Sequence, residues 1–321
     1  MKNRCMSKKN SIDYEKMFSG DMHTIAKCIS EVENDMESAS VILDKIFHKT
    51  GKSIRLGLTG PPGVGKSTLV CEIASYLRLE AKSVGIIAID PTSPFTGGAL
   101  LGDRIRMNRL IEDDGVFIRS MATRGFPGGI ARATCDVADL LDAVGKQFVI
   151  IETVGVGQSE LEIAKFADVV IVVLSPESGD SVQAMKSGLM ETADFIVINK
   201  KDRPGADRLA SEIQSAFELR TNKKEVPIIQ TQAQNGEGID NFVELVQKWV
   251  DETSKNGEFK KRRKKILYNR IRSICTFMVS SSIWNSNSTV ERLEKAVSDL
   301  LEYKGSPYKA AEGILKEILR A

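Results

Sequence analysis

The chain has 321 residues, of which 42% are hydrophobic and 27% charged, and its formal net charge is +2. This balance is typical of a globular protein and gives no electrostatic reason to expect nucleic acid or an acidic membrane as a partner. No apolar run approaches the roughly 20 residues that span a bilayer. Five isolated cysteines and two histidines argue against a disulfide framework or a His-based metal site and favour a reducing, cytoplasmic location.

Two amphipathic helices are predicted near the N-terminus, in MHTIAKCISEVE and ASVILDKIFHKT, because apolar residues recur there at helical spacing. From about residue 53 to residue 251, strand-length runs rich in Ile and Val alternate with helical segments. These runs are continuously apolar, which is typical of strands buried on both faces of a mostly parallel sheet. The sequence therefore predicts an α/β, doubly wound, three-layer fold. The predicted strands are IRLGLT, SVGIIAI, GVFIRSM, QFVIIE, DVVIVVL, DFIVINK and VPIIQT.

After about residue 255 the strand pattern stops and only helical segments follow. The first of them has a narrow apolar stripe at 4-3-4 spacing, which fits packing against another helix. The stripe comprises Leu267, Ile271, Ile274 and Met278. The basic run 260–265 is interpreted as the solvated start of this helix rather than as a nucleic-acid contact. The predicted regions are a helical extension at 1–50, the α/β domain at 51–254 and a helical region at 255–321.

A phosphate-binding loop is predicted at GPPGVGKST, because G-x-x-x-x-G-K-[ST] follows a predicted strand and opens a predicted helix. The glycines allow backbone N–H groups to turn towards phosphate oxygens, and the helix adds its positive N-terminus. Lys66 supplies charge to the β- and γ-phosphates, and Ser67 offers its hydroxyl to Mg²⁺. The predicted binding residues are Gly60, Pro61, Pro62, Gly63, Val64, Gly65, Lys66, Ser67 and Thr68.

Guanine is the predicted base. The segment VINKKD contains N-K-x-D at Asn199, Lys200 and Asp202, at the end of a predicted strand about 130 residues after the phosphate-loop lysine. The Asp202 carboxylate can accept hydrogen bonds from the two N–H groups that guanine presents and adenine does not, and Lys200 can lie along the ring. A base loop is predicted in TQAQNGEG, with Gln232 where GTPases usually have serine and with Ala233 retained. The Ala233 N–H is predicted to meet the guanine carbonyl.

Acidic residues at strand ends are the candidates for holding magnesium. Glu152 ends the apolar run VIIE, and Asp90 ends VGIIAI, so both can face the phosphate loop along one edge of a parallel sheet. Ser67, Asp90 and Glu152 are therefore the predicted Mg²⁺ set. Asp103 has two interpretations that stay open, an N-cap for the following helix or a switch residue.

Two further loops are candidate switches. In TVGVGQSE, Gly155 can present its N–H to the γ-phosphate, and Gly157 allows the loop to move. In SPESGDSVQAMKSGLME, the polar residues Asp180, Gln183 and Lys186 follow the next strand. An ordinary strand-to-helix loop with Asp180 as a cap is the alternative for this third loop.

The spacing of these motifs separates the chain from small Ras-like GTPases. Ser67 and Glu152 are 85 residues apart, and the interval contains two additional predicted strands. This arrangement resembles the GTPase branch that includes the signal-recognition-particle and metallochaperone GTPases. More specifically, TGPPGVGKST, DPTSPFTGGALLGDRIRM, RGFPGGIARAT, IIETVGVGQSE, SGDSVQAMKSGLME, NKKD and SPYKAAEGIL together resemble the methylmalonyl-CoA mutase-associated GTPases (the MeaB/ArgK family) over about residues 15–320.

This resemblance implies a Mg²⁺-dependent GTPase that chaperones an adenosylcobalamin-dependent acyl-CoA mutase by gating cofactor loading, protecting the enzyme and reactivating it. It also implies a homodimer joined through the C-terminal helices, and a third loop that responds to the mutase. The catalytic residues that follow from the motifs and the resemblance together are Lys66, Asp90, Asp103, Glu152 and Lys186. Which acyl-CoA mutase is the client stays open.

Three alternatives differ in what they require of the sequence. A nickel metallochaperone GTPase would need Cys and His ligands near the switches, where only isolated cysteines occur. A protein-targeting GTPase would need a Met-rich signal-binding domain, and the ten methionines are dispersed. A kinase acting on an arginine-transport binding protein, an older label within the family, would transfer phosphate to a protein rather than to water.

Overall fold

The computed structural model describes residues 12–90, 107–122, 129–153, 159–177, 188–219, 225–284 and 286–318. The strands are β1 Ile54–Thr59, β2 Val84–Asp90, β3 Val116–Ala122, β4 Phe148–Glu152, β5 Val169–Leu174, β6 Phe195–Ile198 and β7 Ile228–Gln230. The helices are α1 Tyr14–Phe18, α2 Met22–Asn34, α3 Met36–Ile46, α4 Lys66–Leu79, α5 Asn108–Ile111, α6 Gly129–Ala143, α7 Ser159–Glu162, α8 Leu189–Thr192, α9 Ala206–Glu218, α10 Ile239–Lys255, α11 Glu258–Trp284, α12 Asn287–Leu301 and α13 Pro307–Ile318. None of the helices in these ranges combines the length and apolar character that crossing a bilayer requires.

The seven strands form one sheet in the order β3-β2-β4-β1-β5-β6-β7, and the neighbouring strands pair in parallel. Every residue of β4 and β5 is buried, because helices cover both faces of the sheet. The predicted α/β fold is confirmed. Since the strands are parallel, the carboxyl ends of β1, β4, β5 and β6 lie along one edge, and the loops that follow them can meet there.

One face of the sheet is covered by α4 and α10. Leu69, Ile73 and Leu77 recur at four-residue spacing along α4 and are fully buried, so a single stripe of this helix faces the strands. On α10, Phe242 packs against Phe195 from β6 in a T-shaped arrangement, with ring centroids 6.0 Å apart. The buried stripe of α4 holds the helix that begins at the phosphate loop against the sheet, and α10 packs beside it.

The opposite face is covered by α6 together with the N-terminal helices α2 and α3. Ile29 and Ile46 are fully buried in the same core cluster as Ile87 and Val149 from the strands. Full burial of such a side chain contributes about 1.5–3 kcal/mol. The two predicted N-terminal helices are therefore present, and they form part of the main core.

The N-terminal helices begin at three successive aspartate caps. Asp13, Asp21 and Asp35 each accept a hydrogen bond from the backbone N–H three residues further on. An aspartate in this position satisfies an N–H group that the helix leaves without an intrahelical partner, and its charge complements the helix dipole. The capping residues thus set where each short helix begins.

The start of the long helix α11 is bonded to the amino-terminal edge of the sheet. Arg263 donates to both carboxylate oxygens of buried Asp168, at 2.8 and 2.6 Å, and Asp168 also accepts from the Arg55 backbone N–H of β1. Arg262 pairs with buried Asp194 at 2.7 Å. The basic run is thus only partly solvated, because two of its members pair with buried carboxylates.

The chain forms two compact units, Met1–Lys264 and Lys265–Ala321. In the second unit, α12 and α13 pack against each other. Three members of the predicted apolar stripe, Leu267, Ile271 and Met278, are exposed, Ile271 by 62%. The predicted region boundaries, 1–50, 51–254 and 255–321, stay a prediction. The N-terminal helices are not separate from the sheet, because they share a core with it.

We expect Arg263→Ala to lower the free energy of unfolding by about 3 kcal/mol, because the buried Asp168 carboxylate loses the guanidinium that donates to both of its oxygens. Urea denaturation followed by circular dichroism measures the change. Lys261→Ala, which removes an exposed cation of the same helix, is the matched control and should change the midpoint little. Equal effects of the two substitutions would contradict the assigned role of Arg263.

Candidate nucleotide site

The phosphate loop, residues 60–68, connects β1 to α4 at the carboxyl edge of the sheet. Gly65 occupies the N-cap position of α4 with φ 91°, and no side chain caps this helix end. A Cβ on Gly65 would lie 2.5 Å from the Asn199 Nδ2 atom, so both the backbone angle and the space require glycine. The loop therefore presents a helix N-terminus of the kind that binds phosphate groups.

Lys66 lies within this loop. Its side chain is buried, and its Nζ donates to the carbonyl oxygens of Gly60 and Pro61, both at 2.8 Å. Its ammonium group is thus held at the loop that is predicted to surround the phosphates. The predicted contact of Lys66 with the β- and γ-phosphates stays a prediction.

Glu152 meets the phosphate loop across the sheet. The Ser67 hydroxyl donates to Glu152 Oε1 at 2.8 Å, and both residues are buried, with exposures of 7% and 5%. The strands make this contact possible because Glu152 ends β4 opposite Leu58 of β1, two residues before the loop begins. Two residues 85 positions apart in the chain are thus brought together.

The donor set at this point fits Mg²⁺. A serine hydroxyl and a carboxylate are hard oxygen ligands, and Mg²⁺ in phosphate sites uses few protein oxygens together with water and substrate phosphates. Asp90 ends β2, the strand next to β4, as predicted, and the structure describes only its backbone. Ser67 and Glu152 are the described residues that could hold the ion, directly or through water.

Several predicted site residues lie outside the described ranges: Asp103, Gly155, Gly157, Asp180, Gln183 and Lys186. The helix described after Asp103 begins only at Asn108, with Met107 at its N-cap position. The predicted roles of these six residues stay predictions.

Asn199 connects the phosphate loop to the base loop, residues 231–238. Its Nδ2 donates to the Val64 carbonyl at 2.9 Å, and its Oδ1 accepts from the Thr231 hydroxyl at 3.2 Å and from the Ala233 N–H at 3.0 Å. Asn199 is 3% exposed. This side chain therefore binds two separate loops and fixes their separation, a role that the N-K-x-D pattern alone does not reveal.

The Ala233 N–H, which the sequence predicts to meet the guanine carbonyl, donates to Asn199 in the structure. Its contact with guanine stays a prediction. Gln232, the departure from the usual serine, is held through its backbone, because its N–H and carbonyl both pair with Glu237 across the loop. These bonds run between backbone atoms and do not depend on the side chain at position 232.

Lys200 and Asp202 are partly open to solvent, with side-chain exposures of 33% and 42%. Lys200 has φ 60°, a left-handed conformation that is uncommon for a residue with a side chain. Its Nζ lies 2.8 Å from Glu177 Oε2, and the bonded Lys200 lowers the pKa of Glu177. Sequence reasoning missed Glu177, because an acidic residue in the loop after a strand has no pattern that distinguishes it from any other surface acid.

Thr153 is a second residue that sequence reasoning missed. It follows Glu152, and its hydroxyl donates to the Thr59 hydroxyl at 3.1 Å, while its backbone N–H donates to the Leu58 carbonyl at the same distance. Both threonines are buried. Their contact joins the end of β1, which leads into the phosphate loop, to the residue that precedes the predicted second switch.

Three features together define a P-loop GTPase. They are a parallel α/β sheet, a G-x-x-x-x-G-K-[ST] loop that opens a helix, and an N-K-x-D motif that is bonded to that loop. The family model described as methylmalonyl-CoA mutase-associated GTPase MeaB matches residues 25–288. The chain belongs to this family, as its motifs predicted, and it hydrolyses GTP.

Relatives and a solved structure extend over most of the chain. A protein of Pyrococcus abyssi named as a GTPase is 44% identical over 310 residues, which are 95% of each chain. The mouse protein named methylmalonic aciduria type A homolog, mitochondrial, is 33% identical and aligns over 94% of this chain and 78% of its own. A crystal structure described as an LAO/AO transport system kinase has a TM-score of 0.71 at 26% identity and covers 95% of this chain and 96% of its own.

We expect Gly65→Ala to abolish tight GDP binding, because the new methyl group would displace Asn199 and separate the two loops that it joins. Gly51→Ala is the matched control, since Gly51 lies outside the phosphate loop and also has positive φ, at 93°, but a Cβ there meets no atom within 4 Å. Fluorescence titration with a ribose-labelled GDP measures both variants. The assignment fails if the two substitutions weaken binding equally, since backbone strain alone would then account for the loss.

Proposed function

We propose that this GTPase is a switch protein that assists an adenosylcobalamin-dependent acyl-CoA mutase by gating cofactor loading, protecting the enzyme and reactivating it. The family description and the name of the mouse relative support this assignment. The structural observation that carries it is the Ser67–Glu152 hydrogen bond at 2.8 Å. It joins the phosphate loop to the residues directly before the predicted second switch, so a change at the γ-phosphate can reach that loop.

The proposed reaction is in-line attack of water on the γ-phosphate of GTP. The phosphate loop and the amino end of α4 bind the phosphate oxygens, and Lys66 neutralises charge that develops between the β- and γ-phosphates. Asn199 holds the base loop against the phosphate loop, and Asp202 reads the guanine edge. This chemistry depends on positioning and electrostatics, so the proposal needs no side-chain base.

Mg²⁺ is the proposed metal, with Ser67, Asp90 and Glu152 as its protein ligands or as the residues that hold its water. When bound, the ion would neutralise charge on the phosphate oxygens. Glu152 has one methylene more than the aspartate that is common at this position, which gives it the reach to act through water. Asp103 and Lys186 are proposed as switch residues, with Lys186 as the charge that enters when the mutase binds.

We expect Lys66→Ala to abolish GTP turnover at saturating Mg²⁺, because the phosphates lose their principal positive charge. We expect Lys186→Ala to keep the basal rate and to lose the increase caused by the mutase. Release of inorganic phosphate from γ-labelled GTP, with and without methylmalonyl-CoA mutase or isobutyryl-CoA mutase, measures both. Retained turnover in Lys66→Ala would overturn the site, and equal basal and stimulated losses would make Lys186 a basal catalytic residue.

The same experiment, with an arginine-transport binding protein added, tests a second candidate function. The solved structure with a TM-score of 0.71 is described as a transport system kinase, so phosphoryl transfer to a protein is the alternative. Label that appears as inorganic phosphate, and appears faster with a mutase, supports the proposed chaperone. Stable label on a transport binding protein would instead establish the kinase.

We further propose that the protein is a homodimer joined through the C-terminal helices. The exposed apolar side chains of α11 support this, because water contact with such a stripe is unfavourable and a second helix would remove it. Ile271→Lys is expected to shift the protein to monomer in analytical ultracentrifugation, whereas Lys264→Glu, also exposed on α11, should not. An unchanged sedimentation coefficient in Ile271→Lys would place the interface elsewhere.

A further inference from the structure

We propose that Glu177 is a positioning residue for the guanine pocket, which sets the affinity for guanine nucleotides by holding the Lys200 side chain. The proposal concerns the base pocket described above and therefore depends on its assignment. Glu177 follows β5, whereas Lys200 follows β6, so the contact joins the ends of two adjacent strands.

Two positively charged side chains lie near the Glu177 carboxylate. Lys200 Nζ lies 2.8 Å from Glu177 Oε2, and Arg203 Nε lies 3.5 Å from Glu177 Oε1. Arg203 Nε is also 3.6 Å from Asp202 Oδ2. Glu177 thus faces two cations. One is the ammonium group of Lys200, which is predicted to lie along the base, and the other is the guanidinium of Arg203, which also lies near Asp202, the predicted guanine-reading carboxylate.

The backbone around Lys200 is fixed independently of Glu177. The Asn199 N–H donates to the Leu174 carbonyl, the Lys201 N–H to the Thr231 carbonyl, and the Arg203 N–H to the Lys200 carbonyl. Lys200 keeps its left-handed φ of 60° within this frame. A four-carbon side chain on a fixed backbone still has many rotamers, and the carboxylate of Glu177 selects those that keep the ammonium near β5.

Removing this carboxylate should act on nucleotide binding in two ways. Lys200 would lose its anchor and would have to be ordered by the nucleotide itself, which costs binding free energy. Arg203 would keep Asp202 as its only nearby carboxylate among these residues, and would compete with guanine for it. The phosphate loop is untouched by the change, so turnover of bound GTP should be preserved.

The experiment measures the dissociation constant of ribose-labelled GDP, and KM and kcat for GTP, in Glu177→Gln. We expect the dissociation constant and KM to rise about fivefold, the size that an exposed ion pair supports, with kcat unchanged. Glu177→Asp, which keeps the charge on a shorter side chain, should recover part of the affinity. The difference in the GDP dissociation constant between Glu177→Gln and the unaltered protein should shrink at high salt. Salt screens the attraction between Glu177 and Lys200 because solvent reaches both side chains.

Two further variants separate this role from a general loss of structure. Glu212→Gln removes another exposed carboxylate that is paired with an arginine, Arg208 at 2.8 Å, and should leave GDP binding unchanged. In a Lys200→Met background, Glu177→Gln should lose most of its effect, because the group that it positions is gone and only the competition of Arg203 for Asp202 remains. A fivefold loss that persists in this background would overturn the proposal.

The remaining outcomes distinguish this proposal from the base pocket and from the proposed function. If Lys200→Met weakens GDP binding and Glu177→Gln does not, the pocket stands and the role of Glu177 is wrong. If Lys200→Met binds GDP like the unaltered protein, the predicted role of Lys200 and this proposal fall together, whereas the pocket assignment also rests on Asn199 and Asp202. No mutase is present in these measurements, so they are independent of whether a mutase is the client.

Discussion

The amide side chain of Asn199 is the interaction on which the nucleotide site depends. It donates to Val64 in the phosphate loop and accepts from Thr231 and Ala233 in the base loop. A nucleotide that bridges the phosphate and base sites binds well only if the distance between the two loops is set beforehand. Loops that had to be ordered by the nucleotide itself would reduce the affinity. Because the amide is buried, water does not compete for these bonds, and Gly65 is small enough to let it approach the loop.

Much of the fold and of this site could be predicted from the sequence because both depend on local patterns. Continuous Ile and Val runs indicate strands buried on both faces, and the phosphate loop occurs between such a strand and a helix. The approach of Glu152 to the phosphate loop followed from the general rule that parallel strands end on one edge of the sheet. Glu152 and Ser67 are distant in the chain, but Glu152 stands at the end of a recognisable strand and Ser67 in the loop that follows another; the hydrogen bond between them was not predicted.

The contacts that the sequence did not predict depend on register and on side-chain direction. The bond from Thr153 to Thr59 needs the alignment of β4 with β1, which no pattern within either strand encodes. Glu177 and Lys200 are 23 residues apart, and only the pairing of β5 with β6 brings them together. Arg263 belongs to a run of six basic residues, and its position on the helix directs it to buried Asp168 whereas the lysines of the run are exposed.

The N-terminal helices have a consequence for how this protein could be shortened. Their apolar side chains share a core with Ile87 and Val149 of the strands, and helix α6 does not cover that face alone. A chain that began at β1 would retain every nucleotide-binding motif and would also expose a broad apolar surface to water. Such a surface promotes self-association. The solubility of the GTPase domain therefore depends on residues that contribute nothing to its recognisable motifs.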